Sequence, residues 1–487
     1  MKSLNYDLNV PWDYVLIVTI LILGILTASE IVQAVLWILV LVMCILEVMK
    51  LKLWLGSGQR TAFTGPTVKS QVSVHLATCN EPPEMVIETI KGVLRQKYKN
   101  FELIVVDNNT KDVNLWKPVQ EFCKDQDNVS FFHLENWPFY KSGALNFARK
   151  VTSKVAEFVF VLDADYILVP EALQLAIRNM EGESTALVQF PQSYRCEDKR
   201  HVPILDEFKH FFDYYCFKAD SCQGALPTGT LSLIRLTALD EVGGWPLNSI
   251  TEDAELGSRL HVSGYDIRYV NLIIGKGIAP IQQEDFIIQR KRWIFGNVQT
   301  LMNSSMRPWN DFDKWLSGVS QLTAWANMLG LPVLILLCVV LLNPWLEEGM
   351  FTNLSCLSYS AYWIFTLSKM LQFYFVQAHR KKAAFQTFLI HFSSIDIGAF
   401  HWWPVLLGKE RPFVRTDKSN SRSGYKVNLL YPFLHISIFF CGLSSGSYLI
   451  SFSALYFTVL HIMAAEFDYR CRTSEETKIS LILKLHS

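Results

Sequence analysis

The sequence predicts an α/β domain inserted into a bundle of transmembrane helices. Three observations predict it: long apolar segments towards both ends of the 487-residue chain, basic residues confined to alternate loops between them, and strands alternating with helices in the stretch between. Only 18% of the residues are charged, below the usual quarter, and 50% are hydrophobic. This apolar surface exceeds what one water-soluble core would bury.

Six apolar segments have the length of membrane-spanning helices, which is about 20 residues. They are 12–29, 31–49, 318–343, 354–377, 428–446 and 448–466. The first segment lacks the basic region and the small-residue cleavage site of a signal peptide, so we expect it to be retained.

The charges of the connecting loops orient these six segments. Basic residues follow the second, fourth and sixth segments, namely Lys50, Lys52, Arg60, Arg380, Lys381, Lys382, Arg470 and Arg472. The other short loops carry only acidic residues or no charge. The positive-inside rule then places both termini and the long segment 60–310 in the cytosol, as in a multi-pass protein of the plasma membrane. Buried helices of a soluble protein would not separate basic residues in this way.

Residues 383–407 are apolar but contain Asp396 and His401 and a Trp402–Trp403 pair, which favours an interfacial helix over a span. The predicted organisation has five parts. They are two transmembrane helices in 1–59, a cytosolic domain in 60–310, two transmembrane helices in 311–382, an interfacial helix and loop in 383–427, and two transmembrane helices with a short tail in 428–487.

The pattern of the cytosolic domain predicts a mainly parallel α/β sheet. Apolar runs predict strands at 71–77, 101–106 and 157–162, and the apolar spacing of 84–96 predicts a helix between the first two. Ligands of such sheets bind beyond the carboxyl ends of the strands, which is where Asp107 and Asp163 fall.

Asp163 and Asp165 stand two residues apart at a strand end, where both carboxylates can approach one hard cation. Mg²⁺ or Mn²⁺ bound there would share its ligands with the phosphates of a substrate and neutralise a diphosphate leaving group. The alternative is a solvated turn.

Two charged motifs follow further along the chain. Thr251, Glu252 and Asp253 open a predicted helix, where acidic residues serve as caps or, in one case, as a general base. The run 289–293 places three basic side chains beside an indole, which suits a diphosphate and a sugar ring. Its two arginines could bind the diphosphate bidentately; the alternative for the run is anchoring at the membrane interface.

Charge and cysteine content exclude other classes. There are 45 basic and 45 acidic residues, so no nucleic-acid partner is expected. The ten cysteines include no CxxC pair, which argues against a zinc site or a disulfide framework.

Taken in order, these motifs resemble those of the processive family-2 glycosyltransferases, which include cellulose synthase, curdlan-type β-glucan synthase, mannan synthases and hyaluronan synthase. The motifs are ATCNEPPE (77–84), VVDNN (105–109), KSGALN (141–146), DAD (163–165), TGT (228–230), ITED (250–253) and QRKRW (289–293). The resemblance implies a GT-A-like glycosyltransferase domain that takes a UDP-sugar donor and a growing polysaccharide as acceptor.

The resemblance also implies a role for each matching residue. Donor binding falls to Thr78, Asn80, Glu81, Asp107, Asn108, Lys141, Asp163, Gln289 and Arg292. Asp165 would hold the metal, and Asp253 would be the general base in the Thr251-Glu252-Asp253 motif. The acceptor would contact Trp293 and the loop Thr228, Gly229 and Thr230. FVRTDK (413–418) resembles the gating loop of the family through Phe413, Thr416 and Lys418. An ordinary basic cytosolic loop is the alternative for this segment.

Two departures from the family pattern stand out. Asn108 replaces the second acid of an Asp-Asp pair, which puts uracil recognition at that position in doubt. No soluble domain follows residue 467, so control by cyclic di-GMP through a PilZ domain in the same chain is not expected.

The function predicted from the sequence is polymerisation of a sugar, with UDP-glucose favoured as donor, into a β-linked polysaccharide secreted through the protein's own channel. Tyr362, Trp363, Trp402 and Trp403 are candidate channel residues, although aromatic belts at the membrane surface are the simpler explanation. Two alternatives stay open: transfer of a single sugar to a lipid or short acceptor, and an inactive channel or scaffold. Membrane lipid is an expected partner, and accessory secretion proteins are left open.

Overall fold

The structure is a computed structural model that describes residues 12–56, 69–180, 182–303, 311–377, 379–409 and 425–473. The chain forms two compact units. The first comprises Met1–Leu51, Asn327–Phe400 and Lys426–Ser487, and the second comprises Lys52–Ala326 and His401–Tyr425. The predicted gating-loop residues Phe413, Thr416 and Lys418 lie outside the described residues.

All described strands belong to the second unit. They are β1 Gln71–Thr78, β2 Phe101–Asn108, β3 Val129–Leu134, β4 Ala156–Asp163, β5 Ile167–Leu168, β6 Thr185–Gln189, β7 Ser232–Arg235, β8 Asp266–Tyr269 and β9 Gly275–Lys276.

Helices occur in both units. Those before β7 are α1 Trp12–Thr27, α2 Ser29–Gly56, α3 Pro83–Leu94, α4 Val113–Lys124, α5 Tyr140–Val151, α6 Ala172–Arg178, α7 Val202–His210 and α8 Phe217–Ser221. Between β7 and Leu342 lie α9 Leu236–Glu241, α10 Glu252–Val262, α11 Gln283–Met302, α12 Phe312–Leu322 and α13 Gly330–Leu342. The remainder are α14 Glu348–Val376, α15 Lys381–Phe392, α16 Ile395–Phe400, α17 Trp403–Leu406, α18 Leu430–Ser444 and α19 Tyr448–Arg472. A π-helical turn, Phe211–Cys216, joins α7 to α8, and 3-10 turns occupy Lys199–His201 and Asn343–Trp345.

Seven strands form the central sheet in the order β3-β2-β1-β4-β7-β6-β8. β1 lies parallel to β2 and β4, and β2 is parallel to β3. β7 runs antiparallel to β4 and β6, and β6 is parallel to β8. β5 and β9 form a separate antiparallel pair. The predicted mixed, mainly parallel sheet is therefore confirmed.

The strands form where apolar and β-branched residues can be buried on both sides of the sheet, as the continuous runs predicted. Val72, Val74 and Leu76 of β1 are almost wholly buried, as are Phe160 and Leu162 of β4. The register pairs Ala77 with Asp163 and Thr78 with Asp107. Three parallel strands thus end at the same edge, with polar side chains where each strand stops.

The first unit is helical. Two of its helices, over Ser29–Leu51 and Tyr448–Arg472, are long and apolar enough to cross a membrane, which by itself is weak evidence, and α1, α13 and α18 are shorter apolar helices. Its core holds residues of α13, α14, α18 and α19 together with Phe388, Leu389 and Phe392 of α15.

Two predicted segments have a different helical structure. The apolar run 318–343 is interrupted because α12 ends at Leu322 and α13 begins at Gly330. The single helix expected over 383–407 is three shorter helices, α15, α16 and α17. Much of α15 is buried, since Phe388, Leu389, Ile390 and Phe392 are each at most 4% exposed.

Candidate active site

A cavity of about 860 Å³ opens in the second unit, at the edge where β1, β2 and β4 end. Fifteen predicted site residues line it: Thr78, Asn80, Glu81, Asn108, Lys141, Asp163, Asp165, Thr228, Gly229, Thr251, Glu252, Asp253, Gln289, Arg292 and Trp293. Asp107 and Thr230 are not among the lining residues. Motifs spread over more than 200 residues thus meet in one cavity.

Lys141 and Asp163 form the charged centre of this cavity. The Lys141 ammonium donates to Asp163 Oδ1 at 2.6 Å and to the Gly229 carbonyl at 2.7 Å, with Glu252 Oε1 at 3.9 Å. Burial alone would lower the pKa of Lys141, but the Asp163 and Glu252 carboxylates outweigh it and the pKa is raised. Lys141 therefore stays charged and joins the β4 end to the TGT loop.

Asp253 lies in the first turn of α10, where its Oδ1 accepts from the Ala254 N–H at 2.9 Å. Burial first, and then the adjacent Glu252 carboxylate, raise the pKa of Asp253 from 3.8 to about 7. The Ala254 N–H and Lys141 act in the opposite direction. A carboxyl group with this pKa can accept a proton near neutral pH.

Gly229 separates Asp253 from the Lys141–Asp163 pair. Its φ of +79° favours glycine, and a Cβ at this position would lie 2.8 Å from Asp253 Oδ2 and 3.6 Å from Lys141 Nζ. The TGT loop therefore passes close to the candidate base only because residue 229 has no side chain.

One helix, α11, contributes Gln289, Arg292 and Trp293 to the cavity. Among the residues that the structure describes, the buried side-chain oxygen of Gln289 has no hydrogen-bond partner. Burial lowers the pKa of the Arg292 guanidinium, an effect that Glu252, Asp163 and Asp253 partly offset. Arg292 is thus a cation beside three carboxylates, in a position to meet an anionic substrate.

Trp293 is held by an aromatic and ionic cluster outside the cavity lining. Its indole stacks on Trp325 with centroids 4.8 Å apart and meets the ring of Phe208 edge-on at 6.0 Å. Arg290 lies over these rings and pairs with Glu207 at 2.5 Å, both groups being at most 3% exposed. The hypothesis that two arginines bind the diphosphate is wrong for Arg290, whose charge is paired with Glu207 instead.

Asp107 and Thr230 lie behind the cavity. Asp107 Oδ1 accepts from Thr78 at 3.2 Å and from Thr110 at 2.7 Å, and its Oδ2 is 2.7 Å from His133 Nδ1. Asp107 therefore ties the ends of β1, β2 and β3 together, and only 3% of it is exposed. Thr230 Oγ1 accepts from the Asp163 backbone N–H at 3.0 Å and so orients that strand end.

The carboxylates of Asp163 and Asp165 offer the oxygen ligands that Mg²⁺ and Mn²⁺ prefer. Asp165 Oδ2 accepts from the Ile278 N–H at 2.9 Å, which fixes its orientation, and both residues line the cavity. Within the described residues, no group of three or more His, Cys, Asp or Glu side chains could hold a metal alone. The donor set therefore fits a cation whose remaining ligands come from substrate phosphates and water.

Sequence reasoning missed the last residue of β6, Gln189, and the segment that follows it. Gln189 is fully buried, and its side chain accepts from the Thr228 N–H at 2.9 Å and donates to the Thr230 carbonyl at 2.8 Å. Gln192 donates to the Thr228 carbonyl at 2.6 Å and lines the cavity with Tyr194. No motif marks these residues, although Gln189 ends a short apolar strand, as Asp163 does.

Comparison with known proteins agrees with this geometry. Residues 158–376 match the family described as Glycosyl transferase family group 2. The UDP-forming catalytic subunit of a cellulose synthase from Dictyostelium discoideum is 33% identical over 181 residues, 35% of this chain and 16% of that protein. Poly-beta-1,6-N-acetyl-D-glucosamine synthase of Staphylococcus epidermidis is 28% identical over 231 residues, 47% of this chain and 55% of that protein. This chain thus spans about a sixth and about half of the length of these two relatives.

The fold has a counterpart among solved structures. A mannosyltransferase from Pyrobaculum calidifontis, in complex with GDP-Man and Mn²⁺, aligns with a TM-score of 0.53 and 17% identity, over 73% of this chain and 99% of that one. This likeness supports the GT-A-like fold. Residues 158–376 thus match a glycosyltransferase family 2 domain, in agreement with the resemblance drawn from the motifs.

Proposed function

We propose that this chain is an inverting glycosyltransferase that polymerises a sugar from a UDP-sugar, with UDP-glucose favoured, into a β-linked polysaccharide. One observation carries the proposal. The candidate base Asp253 faces the Lys141–Asp163 pair across Gly229, in a cavity that also contains Arg292 and the indole of Trp293. Base, cationic groups and sugar platform therefore surround one space.

In the proposed reaction the acceptor sugar rests on Trp293 and directs a hydroxyl towards Asp253. The hydroxyl proton passes to the Asp253 carboxylate as the oxygen attacks the anomeric carbon from the face opposite the diphosphate. The bond from the anomeric carbon to the diphosphate oxygen breaks, and its electron pair leaves with UDP. An α-linked donor thus gives a β-linkage.

The leaving diphosphate needs neutralisation, which positioned charges in a largely buried site supply most effectively. Lys141 and Arg292 carry positive charge and face the same cavity. Asp163 and Asp165 would hold Mg²⁺ or Mn²⁺, which when bound neutralises diphosphate charge. Asp163 already pairs with Lys141, so donor binding would rearrange this contact.

Membrane embedding and secretion of the product belong to the same proposal. Several large apolar side chains of α2 are exposed, among them Ile31, Trp37, Ile38 and Leu41, which suits contact with lipid rather than water. The names of the two relatives, a UDP-forming cellulose synthase and a poly-N-acetylglucosamine synthase, both describe synthesis of a polysaccharide. They imply different sugars, so the donor must be identified by experiment.

The test uses membranes that carry the protein, Mg²⁺ or Mn²⁺, and a panel of radiolabelled UDP-sugars. We expect one donor to yield high-molecular-weight product. In Asp253→Asn the rate of product formation should fall by at least about 100-fold, because the general base is removed. Glycosidase digestion then identifies the linkage. A small lipid-soluble product would instead indicate that the protein transfers a single sugar to a lipid acceptor and does not polymerise it. No turnover dependent on Asp253, in membranes where folded protein is verified, would refute the proposal.

A further inference from the structure

The turn before α5 holds two large aromatic residues in a backbone conformation that they rarely adopt. Phe139 has φ +65° and Tyr140 has φ +48°, and both lie in the left-handed region that favours glycine. Such conformations cost about 1–3 kcal/mol each and persist only where the surroundings enforce them. Contacts that hold this turn must therefore exist, and strain of this kind is often associated with function.

Two asparagines of the VVDNN motif hold the turn. Asn109 Nδ2 donates to the Trp137 carbonyl and Asn109 Oδ1 accepts from the Trp137 N–H, both at 2.7 Å. Asn108 Nδ2 donates to the Tyr140 carbonyl at 2.6 Å. The C-terminal end of β2 thus clamps the turn at both of its ends.

Gly143 closes the turn from the other side. Its N–H donates to the Phe139 carbonyl at 3.0 Å, and a Cβ at this position would lie 1.9 Å from the Pro138 carbonyl oxygen. The KSGALN motif therefore needs glycine at residue 143 for the turn to pack on α5.

The turn brings two adjacent residues to the same cavity. Tyr140 lines the cavity and is 52% exposed, and Lys141 reaches Asp163 and the Gly229 carbonyl. The neighbouring Phe139 is similarly exposed, at 50%, but does not line the cavity. Tyr140 lies on the side of Asn108 and the β2 end, and Lys141 reaches towards the β4 end.

We propose that the clamped turn presents the Tyr140 ring as a stacking platform for the nucleobase of the donor. The next residue, Lys141, supplies the ammonium that contacts the diphosphate of the donor. Asn108 and Asn109 then act as positioning residues. A nucleotide anchored through its diphosphate by Lys141 would extend from the β4 end towards the β2 end, where Asn108 holds the Tyr140 backbone and Tyr140 lines the cavity. This inference rests on the proposed function for the existence of a nucleotide-sugar donor.

The test measures the dissociation constants of UDP and of inorganic pyrophosphate, each with Mg²⁺, for the full chain in detergent. Stacking of a base on an aromatic ring contributes about 1–3 kcal/mol, so Tyr140→Ala should weaken UDP binding by about 5- to 150-fold. Pyrophosphate affinity should stay within about twofold, because pyrophosphate has no base. Tyr140→Phe should restore UDP binding, since it keeps the ring.

Two further variants separate the ring from the turn. Phe139→Ala removes the neighbouring exposed ring from the same strained turn and should leave both constants within about twofold. Asn109→Ala releases the turn and should weaken UDP and pyrophosphate together, because it displaces Lys141 as well as Tyr140. Melting temperatures of all variants verify that they are folded.

The inference is overturned if Tyr140→Ala leaves the affinity for UDP within twofold of the wild-type value. It is overturned as well if Tyr140→Ala weakens the binding of pyrophosphate as much as the binding of UDP. It is also overturned if Phe139→Ala has the same effect as Tyr140→Ala. A wild-type protein that binds neither UDP nor pyrophosphate would instead contradict the proposed function, so the two failures are distinguishable.

Discussion

Replacing Gly229 with alanine should lower the catalytic rate strongly while leaving the protein folded. The added Cβ would stand 2.8 Å from Asp253 Oδ2, closer than carbon and oxygen atoms pack, and 3.6 Å from Lys141 Nζ. Asp253 is a short side chain anchored by the Ala254 N–H, so relief of the contact displaces its carboxylate. The contact therefore acts on the orientation of the candidate base.

The magnitude follows from two separate costs. Alanine at φ +79° costs about 1 kcal/mol of folding stability relative to glycine. Relief of the contact needs a shift of roughly half an ångström, and misplacement of catalytic groups by about 1 Å can cost about 100-fold in rate. We therefore expect kcat to fall by about 10- to 100-fold and stability to fall by about 1 kcal/mol.

Gly264→Ala is the matched control. Gly264 has φ +86°, and a Cβ there meets no atom of the described part of the chain within 4 Å, so this variant carries the backbone cost alone. Incorporation of radiolabelled sugar into polymer measures activity, and thermal unfolding in detergent measures stability. Retention of more than about a third of the wild-type rate by Gly229→Ala would refute the reasoning, as would an equal loss of activity in Gly264→Ala.

Two further predictions concern charge. The Asp253 carboxylate must be deprotonated to act as base. Burial and then Glu252 raise its pKa, so Glu252→Gln should move the acid limb of the kcat/KM profile to lower pH. An unmoved limb would exclude Asp253 as the group titrating there. Arg290→Met removes the buried cation that pairs with the Glu207 carboxylate and should destabilise the protein by about 3–5 kcal/mol, whereas Arg290→Met with Glu207→Met should regain at least half of that loss. Denaturation of the single and double variants measures this coupling, and a double variant as unstable as Arg290→Met would contradict it.

Local patterns determined much of the sheet and part of the site. The apolar runs located β1, β2 and β4 to within two residues, because buried parallel strands need continuous β-branched and aliphatic residues. Parallel strands share an edge, so the positions of Asp107 and Asp163 at strand ends followed from the runs alone. The spacing of Gln289, Arg292 and Trp293 similarly places all three on one face of a helix.

Tertiary structure decided which polar residues face the cavity. Asp107 lies one residue further along the sheet than Asp163, because Ala77 pairs with Val106 on one side and with Asp163 on the other. Asp107 is enclosed by Thr78, Thr110 and His133 and does not line the cavity. The partners of Asp107 come from β1, the loop after β2, and β3. No sequence pattern specifies such partners, because their proximity depends on strand order.

The same distinction separates the arginines and explains the unexpected turn. Arg290 and Arg292 stand two residues apart in one helix, which turns them roughly 200° from each other. Which of them meets the cavity was settled by Glu207, 83 residues away in sequence, which pairs with Arg290.

The Phe139–Tyr140 turn contains no glycine that would predict its positive φ values. The hydrogen bonds from Asn108 and Asn109 enforce these values from the neighbouring strand end. The sequence by itself determined three of the strands, the acids at their ends and the resemblance to a glycosyltransferase family, because these depend on local pattern. The assignment of each polar group to cavity or scaffold depended on contacts between distant segments, which only the folded chain brings together.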